Sequence, residues 1–144
     1  MREDFSVKLR WHHCVDDDDP CWGYSRALYA YLAPVKAAIY YLGKCYGTTV
    51  RERWNYDAKR DVWDCIDQRT KNHRPIVAEF ELPEGMNLTK ELVDDIECLL
   101  IFRLQPPCNV QCKESRGKHR RPGMKVVCVG QAWPLSEKTF KDAG

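Results

Sequence analysis

The sequence predicts an α+β domain: a small, mostly antiparallel sheet of three to four strands flanked by helices, in the order β-β-α-β-α with a further C-terminal strand. Three observations carry this. Residues 27–33 and 38–42 are short aromatic and aliphatic runs, separated by Pro34-Val35-Lys36 and stopped by Gly43, which reads as two strands of a hairpin. Leu92, Val93, Ile96, Leu99, Leu100 and Leu104 recur at helical spacing until Pro106-Pro107, a buried stripe with a stop signal. Residues 76–82, which follow Pro75 and alternate from Ala78, and residues 124–129 read as a third and a fourth strand.

The remaining elements follow in chain order. Residues 1–26 read as an irregular extension, with Asp16-Asp17-Asp18-Asp19-Pro20 as a solvated acidic loop. Adjacent carboxylates in a turn are not expected to converge on one ion. Thr48 or Thr49 can cap a helix that opens near Val50. Val50, Trp54 and Ala58 share one face of it, and Val62, Trp63 and Ile66 continue the pattern. Asn87 or Thr89 caps the second long helix. Residues 27–112 form the expected domain, and 113–144 supply a basic loop, a strand and a tail. No internal repeat is visible.

Composition sets the limits. The chain has 144 residues, enough for one domain with a real core on a scale of roughly 100–200 residues per domain. Lys plus Arg is 23 and Asp plus Glu is 21, a net charge of +2. That excludes a histone-like protein, but a local charge patch can hide within a near-neutral total. No apolar run reaches the ~20 residues that span a bilayer. The start, Met1-Arg2-Glu3-Asp4, lacks the pattern of a signal peptide, which predicts a cytoplasmic protein. The eight cysteines are then expected mostly as reduced packing residues. A structural zinc is the lesser reading. Its ligands would come from Cys108, Cys112 and His119, or from His12-His13-Cys14 with Cys21.

Chemistry concentrates at the ends of the expected elements. Tyr29 lies on the first strand; Tyr41 lies on the second, followed by Leu42-Gly43-Lys44. Arg51 opens the first helix. Glu97 shares a helix face with Val93, Leu100 and Leu104, where a carboxylate is costly unless it is paired or binds a cation. Asn109 stands twelve residues beyond Glu97. Each residue alone has a bland reading: core-edge tyrosines, a surface lysine, a solvated arginine. Their order and spacing together resemble the GIY-YIG nuclease superfamily. The two family triplets correspond to Ala27-Leu28-Tyr29 and Tyr41-Leu42-Gly43, with eleven residues between them. Tyr41-Leu42-Gly43-Lys44, the helix around Glu97 and the turn Gln105-Pro-Pro-Cys-Asn109 also resemble family strings, so the likeness spans about residues 27–112. Two departures stand out. Ala27 replaces the first glycine, and Asn55, next to Tyr56, occupies the position where many members carry His or Tyr.

The resemblance implies a metal-dependent DNA endonuclease. Glu97 would ligate Mg²⁺ or Mn²⁺, hard cations that favour oxygen donors and keep several waters. The metal would act as a Lewis acid at the departing oxygen. Arg51 would hold the scissile phosphate. Tyr29 is the favoured base with Tyr41 positioning the water or phosphate, and the roles are exchangeable. A free phenol has a pKa near ~10, which Lys44 and Arg51 are expected to lower. Asn109 would brace the loop or orient groups near the metal. Residues 113–125 hold six Lys/Arg and one acid; Lys113, Arg116, Lys118, Arg120 and Arg121, with Arg53 of the first helix, are the candidate contacts to DNA. Lys59 and Arg60 add to these. A dimer or sequential nicking would serve double-strand cleavage. The alternative function is a nucleic-acid-binding protein without catalysis.

Overall fold

The structure is a computed structural model and describes residues 4–33, 38–54, 60–69 and 74–142. These form strands β1 (Phe5–His13), β2 (Arg26–Ala33), β3 (Ala38–Tyr46), β4 (Arg74–Glu81), β5 (Met124–Val129) and β6 (Thr139–Lys141). The helices are α1 (Val50–Trp54), α2 (Arg60–Asp67) and α3 (Lys90–Leu104). The strands build one six-stranded sheet in the order β3-β2-β4-β1-β5-β6. Neighbours run antiparallel except β1 and β5, which are parallel. This corrects the expected small, mostly antiparallel sheet of three to four strands.

The physical cause of the difference lies in β1. Its residues Val7, Leu9 and Trp11 are buried while Lys8 and Arg10 are exposed. A strand with one wet face carries a low mean hydropathy although its period-2 pattern is regular. So the segment read as an irregular extension sits inside the sheet, between β4 and β5. Its outer face is tied across strands by Arg10 to Glu81 at 2.6 Å and His12 to Glu79 at 2.8 Å. β3 also continues through Gly43 to Tyr46 rather than stopping at the glycine. The break at Pro34-Val35-Lys36, and the readings of Asn55, Tyr56, Ala58 and Lys59, lie outside the described residues.

Two apolar cores flank the sheet. On one face α3 buries Leu92, Val93, Ile96, Leu99 and Leu100 against Leu9, Trp11, Leu28 and Ile76. Thr89, one of the two expected caps, accepts the Leu92 N–H at 3.1 Å, which satisfies an otherwise orphaned donor. Gln105 ends the helix in the left-handed region at φ 52°. On the other face Tyr29, Tyr31, Cys45 and Val77 pack with Val50 of α1 and Ile66 of α2. Among the described residues no helix is long and apolar enough to cross a membrane.

The cysteines depart from expectation. Cys14 bonds Cys21, Cys65 bonds Cys108 and Cys98 bonds Cys112; Cys45 and Cys128 are free and buried. The expected zinc sets therefore lose their thiols, and His12 instead faces Glu79. Pairings across 43 and 14 residues depend on packing that spacing does not disclose. The acidic loop closed by Cys14–Cys21 brings carboxylate oxygens of Asp16, Asp18 and Asp19 within 4.8 Å, against the expectation of divergence. Asp19 serves the backbone there: it accepts the N–H groups of Val15 and Asp16, both at 2.9 Å. These bonds hold its carboxyl below the usual carboxylate range.

Alkylating the unfolded, unreduced protein is expected to label only the two unpaired cysteines, and prior reduction should expose all eight. Intact mass spectrometry reads both counts; eight labels without reductant would refute the pairing.

Candidate active site

The site starts at the contact between β2 and β3. Tyr29 pairs with Gly43 in the strand register, and its ring lies across the glycine. A Cβ placed on Gly43 would stand 2.5 Å from the Tyr29 ring, inside any carbon contact distance. Glycine at this position is thus a packing requirement that lets the phenol reach the edge strand. Tyr41 joins it on the same face, with ring centroids 6.4 Å apart, and Tyr31 stacks on Tyr41 at 5.9 Å. Trp63 of α2 closes over Tyr31 at 4.8 Å.

Strand alternation sends the next side chain to the opposite face. There Lys44 forms an ion pair with Asp94 of α3 and lies 4.0 Å from Glu97. The Glu97 side chain is 15% exposed. A cavity of about 290 Å³ opens where the two faces meet at the sheet edge, and Tyr29, Tyr41, Lys44, Arg53, Glu97 and Asn109 are among its lining residues. Asn109 forms its wall. Its side-chain amide donates to the Leu42 carbonyl and its side-chain oxygen accepts the Leu42 N–H, both at 2.9 Å. The asparagine thus acts as a strand partner for the edge of β3. Cys65–Cys108 and Cys98–Cys112 anchor the chain on either side of it.

Arg51 is not in this cavity. It is exposed, donates to the Asp17 carbonyl and lies over the Trp22 ring at 5.3 Å. Arg53, expected as a DNA contact, lines the cavity instead. Two residues on a helix differ by about 200° in direction, so spacing from Gly43 alone could not choose between them.

Burial, then the nearby Glu97 carboxylate, push the Tyr41 phenol above its usual value, with Arg53 opposing. This reverses the expected lowering for that tyrosine: desolvation of the anion outweighs the neighbouring cation. Tyr41 therefore stays protonated at neutral pH, suited to donating a hydrogen bond. Tyr31 is shifted upward as well, first by burial and then by Tyr41.

The basic segment takes a different place from the one its sequence position suggests. Arg116 is buried, ion-paired with Asp142, and donates to the carbonyls of Asp95 and His119. Arg121 pairs with Asp95 at 2.9 Å and His119 faces the same carboxylate at 3.2 Å. Asp95 and Glu97 are two residues apart on α3, so this segment docks on the side of the helix away from Glu97. Arg116 and Arg121 hold the fold together there, which removes them as simple phosphate contacts. Lys118 and Arg120 are exposed and Lys113 is half-buried. A second, shallower hollow shares Asn109 and Val110 with the cavity and is lined by Lys113. A third hollow shares Glu114 and Ser115 with the second and is lined by Arg120, Lys141 and Arg103, the last of which pairs with Glu137 at 3.4 Å. Asp94 is the site residue that sequence reasoning missed; its signal was its position one helical turn before Glu97.

No family model, no curated protein and no solved structure matches the chain.

Gly43→Ala should destabilise the fold by roughly 1–3 kcal/mol, the usual cost of overpacking, read as a lower urea midpoint. A midpoint equal to the wild type's would show that the Tyr29 ring can move aside. A second expectation concerns alkaline pH. Burial pushes the Cys45 thiol from 9.0 up to about 11, and Tyr31 and Tyr41 lie above 10.0. Each group is neutral in the native state, so its stabilising contribution is complete below its unfolded value and lost as pH rises through its folded value. Urea midpoints should hold near pH 8 and fall steadily from about pH 9 to 11 and beyond. Tyr31→Phe and Cys45→Ala should flatten that fall.

Proposed function

We propose that the chain is a metal-dependent DNA phosphodiesterase. The observation that supports this most is the convergence of Tyr29, Tyr41, Lys44, Arg53, Glu97 and Asn109 on one cavity. The resemblance of Tyr29, Tyr41, Lys44, Glu97 and Asn109 to the GIY-YIG superfamily supplies the reaction class, although the arginine of that resemblance, Arg51, lies outside the cavity. The reading rests on the site rather than on the architecture, since a fold alone does not specify an activity.

Mg²⁺ or Mn²⁺ suits a hard oxygen donor, which the Glu97 carboxylate supplies where it lines the cavity near the Tyr41 phenol. A bound ion would supply Lewis-acid stabilisation of charge at the leaving oxygen. The chain's own residues do the rest. Arg53 holds the scissile phosphate through charged hydrogen bonds that strengthen as its oxygens gain charge. It takes the role that the resemblance assigned to Arg51. Tyr29 would accept the proton of the attacking water only as a phenolate, which requires its hydroxyl, buried beneath Gly43, to be uncovered when substrate binds. Tyr41, held protonated, donates a hydrogen bond to water or phosphate. Lys44 adds positive charge at the cavity edge. Asn109 keeps β3 in register with the loop wall.

Lys113, Arg120 and Lys118 are the basic-segment residues suited to phosphate contact, with Lys141 beside Arg120 in the same hollow. Such contacts attract any sequence and weaken with salt. DNA is the proposed partner, and a dimer would cut both strands together. Cytoplasmic action belongs to the same proposal, and the three disulfides weigh against it because they suit an oxidising compartment,.

Incubating supercoiled and branched DNA with Mg²⁺ or Mn²⁺ tests the reading. Wild type should nick or cut, and Glu97→Ala and Arg53→Ala should each slow cleavage about 100-fold or more. Arg51→Ala should stay within roughly threefold of wild type, since the loss is confined to a surface contact. DNA binding without cleavage would favour the alternative, a non-catalytic nucleic-acid-binding protein. An Arg51 defect equal to that of Arg53 would reject the assignment of the phosphate arginine.

A further inference from the structure

Two carboxylates compete for one ammonium beside the cavity. Asp94 and Glu97 stand three residues apart on α3, so both reach the strip of sheet from which Lys44 rises. Lys44 Nζ pairs directly with Asp94 Oδ1 and makes only a longer ion pair, at 4.0 Å, with Glu97 Oε1. All three side chains are mostly buried, with 28%, 21% and 15% exposure for Lys44, Asp94 and Glu97. In such a setting an ion pair is weakly screened and its geometry matters.

A direct Lys44–Glu97 hydrogen bond would occupy carboxylate lone pairs that a divalent cation needs. It would also set an ammonium against that cation. Lys44 cannot withdraw into solvent without giving up its place over the cavity, so some other anion must hold it to one side. We infer that Asp94 is a positioning residue that holds the Lys44 ammonium away from Glu97, so that the Glu97 carboxylate accepts a divalent cation while the lysine charge stays at the cavity edge. This rests on the proposed role of Glu97 as the metal ligand. It assigns to Asp94 a function that neither family-like triplet contains. The same one-turn spacing that places Glu97 at the cavity makes the arrangement possible.

Mn²⁺ titration of the full chain, followed by calorimetry and by the electron paramagnetic resonance of unbound Mn²⁺, tests it independently of cleavage. Wild type should bind one ion and Glu97→Ala should not. Asp94→Asn should weaken binding about tenfold or more, the scale expected for residues that orient a ligand. Asp94→Glu should retain most of the affinity. Lys44→Gln should restore binding in the Asp94→Asn background, because the competitor is then gone. Equal thermal midpoints for Asp94→Asn and wild type would exclude misfolding; if they differ, the Lys44→Gln rescue still decides. Absence of Mn²⁺ binding by wild type, or its survival in Glu97→Ala, would sink the metal reading and this inference with it. With that reading intact, an unchanged Asp94→Asn affinity overturns the inference alone. So does an additive effect of the two substitutions, which would mean that Asp94 acts through its charge or as a ligand.

Discussion

Strand β2 has almost no solvent face, and the rest of the molecule is arranged around that constraint. Seven of its eight residues are buried. Leu28, Ala30 and Leu32 face the core built with α3; Ala27, Tyr29 and Tyr31 face the core built with α1 and α2. A strand buried on both sides must have cover on both sides and a partner on each edge. β4 and β3 supply the edges. Because β3 is the outermost strand there, its far edge is open to the Asn109 side chain. The cavity forms at that edge, where side chains from both faces can meet. Gly43 is the point at which a buried phenol crosses beneath the edge strand, and it couples core packing directly to the wall of the cavity.

The surrounding supports are polar and covalent. The chain from Gln105 to Cys112 turns sharply, with positive φ at both residues. Two disulfides and the Asn109–Leu42 pairing hold it. On the far side of α3, Arg116, Arg121 and His119 converge with Asp95 and Asp142. A buried ion pair of this kind adds little net stability, yet losing one partner costs about 3–5 kcal/mol because the other charge is stranded. The network is therefore best understood as fixing where the basic segment lies. It buries Arg116, engages the partly exposed Arg121 and leaves Lys118 and Arg120 turned outward. Charge count in a segment says nothing about which charges are already neutralised.

Several features are legible in the linear pattern of residues. The α3 stripe with its Thr89 cap and the bounds of β5 follow from local pattern, whereas the closeness of Tyr29, Tyr41, Lys44 and Glu97 is implied only by the resemblance of their spacing to a known family. β1 is legible too, since Phe5, Val7, Leu9 and Trp11 alternate without a break; its charged face masks it. The choice of Arg53 over Arg51 is not legible. Both sit on one short helix, and the direction of that helix depends on how Val50 packs beneath it.

Local pattern accounts for most of the periodic elements, because helix and strand periods are properties of the backbone over a few residues. It also places a glycine after Tyr41-Leu42, although the reason for that glycine, the ring of Tyr29, comes from another strand. The six-strand order, the parallel β1–β5 pair and the three disulfides arise only once the chain is packed. So do the arginine that reaches the cavity and the carboxylate that holds Lys44. Those outcomes depend on contacts between residues distant in the chain, and each follows from the competition among buried groups for a limited number of partners.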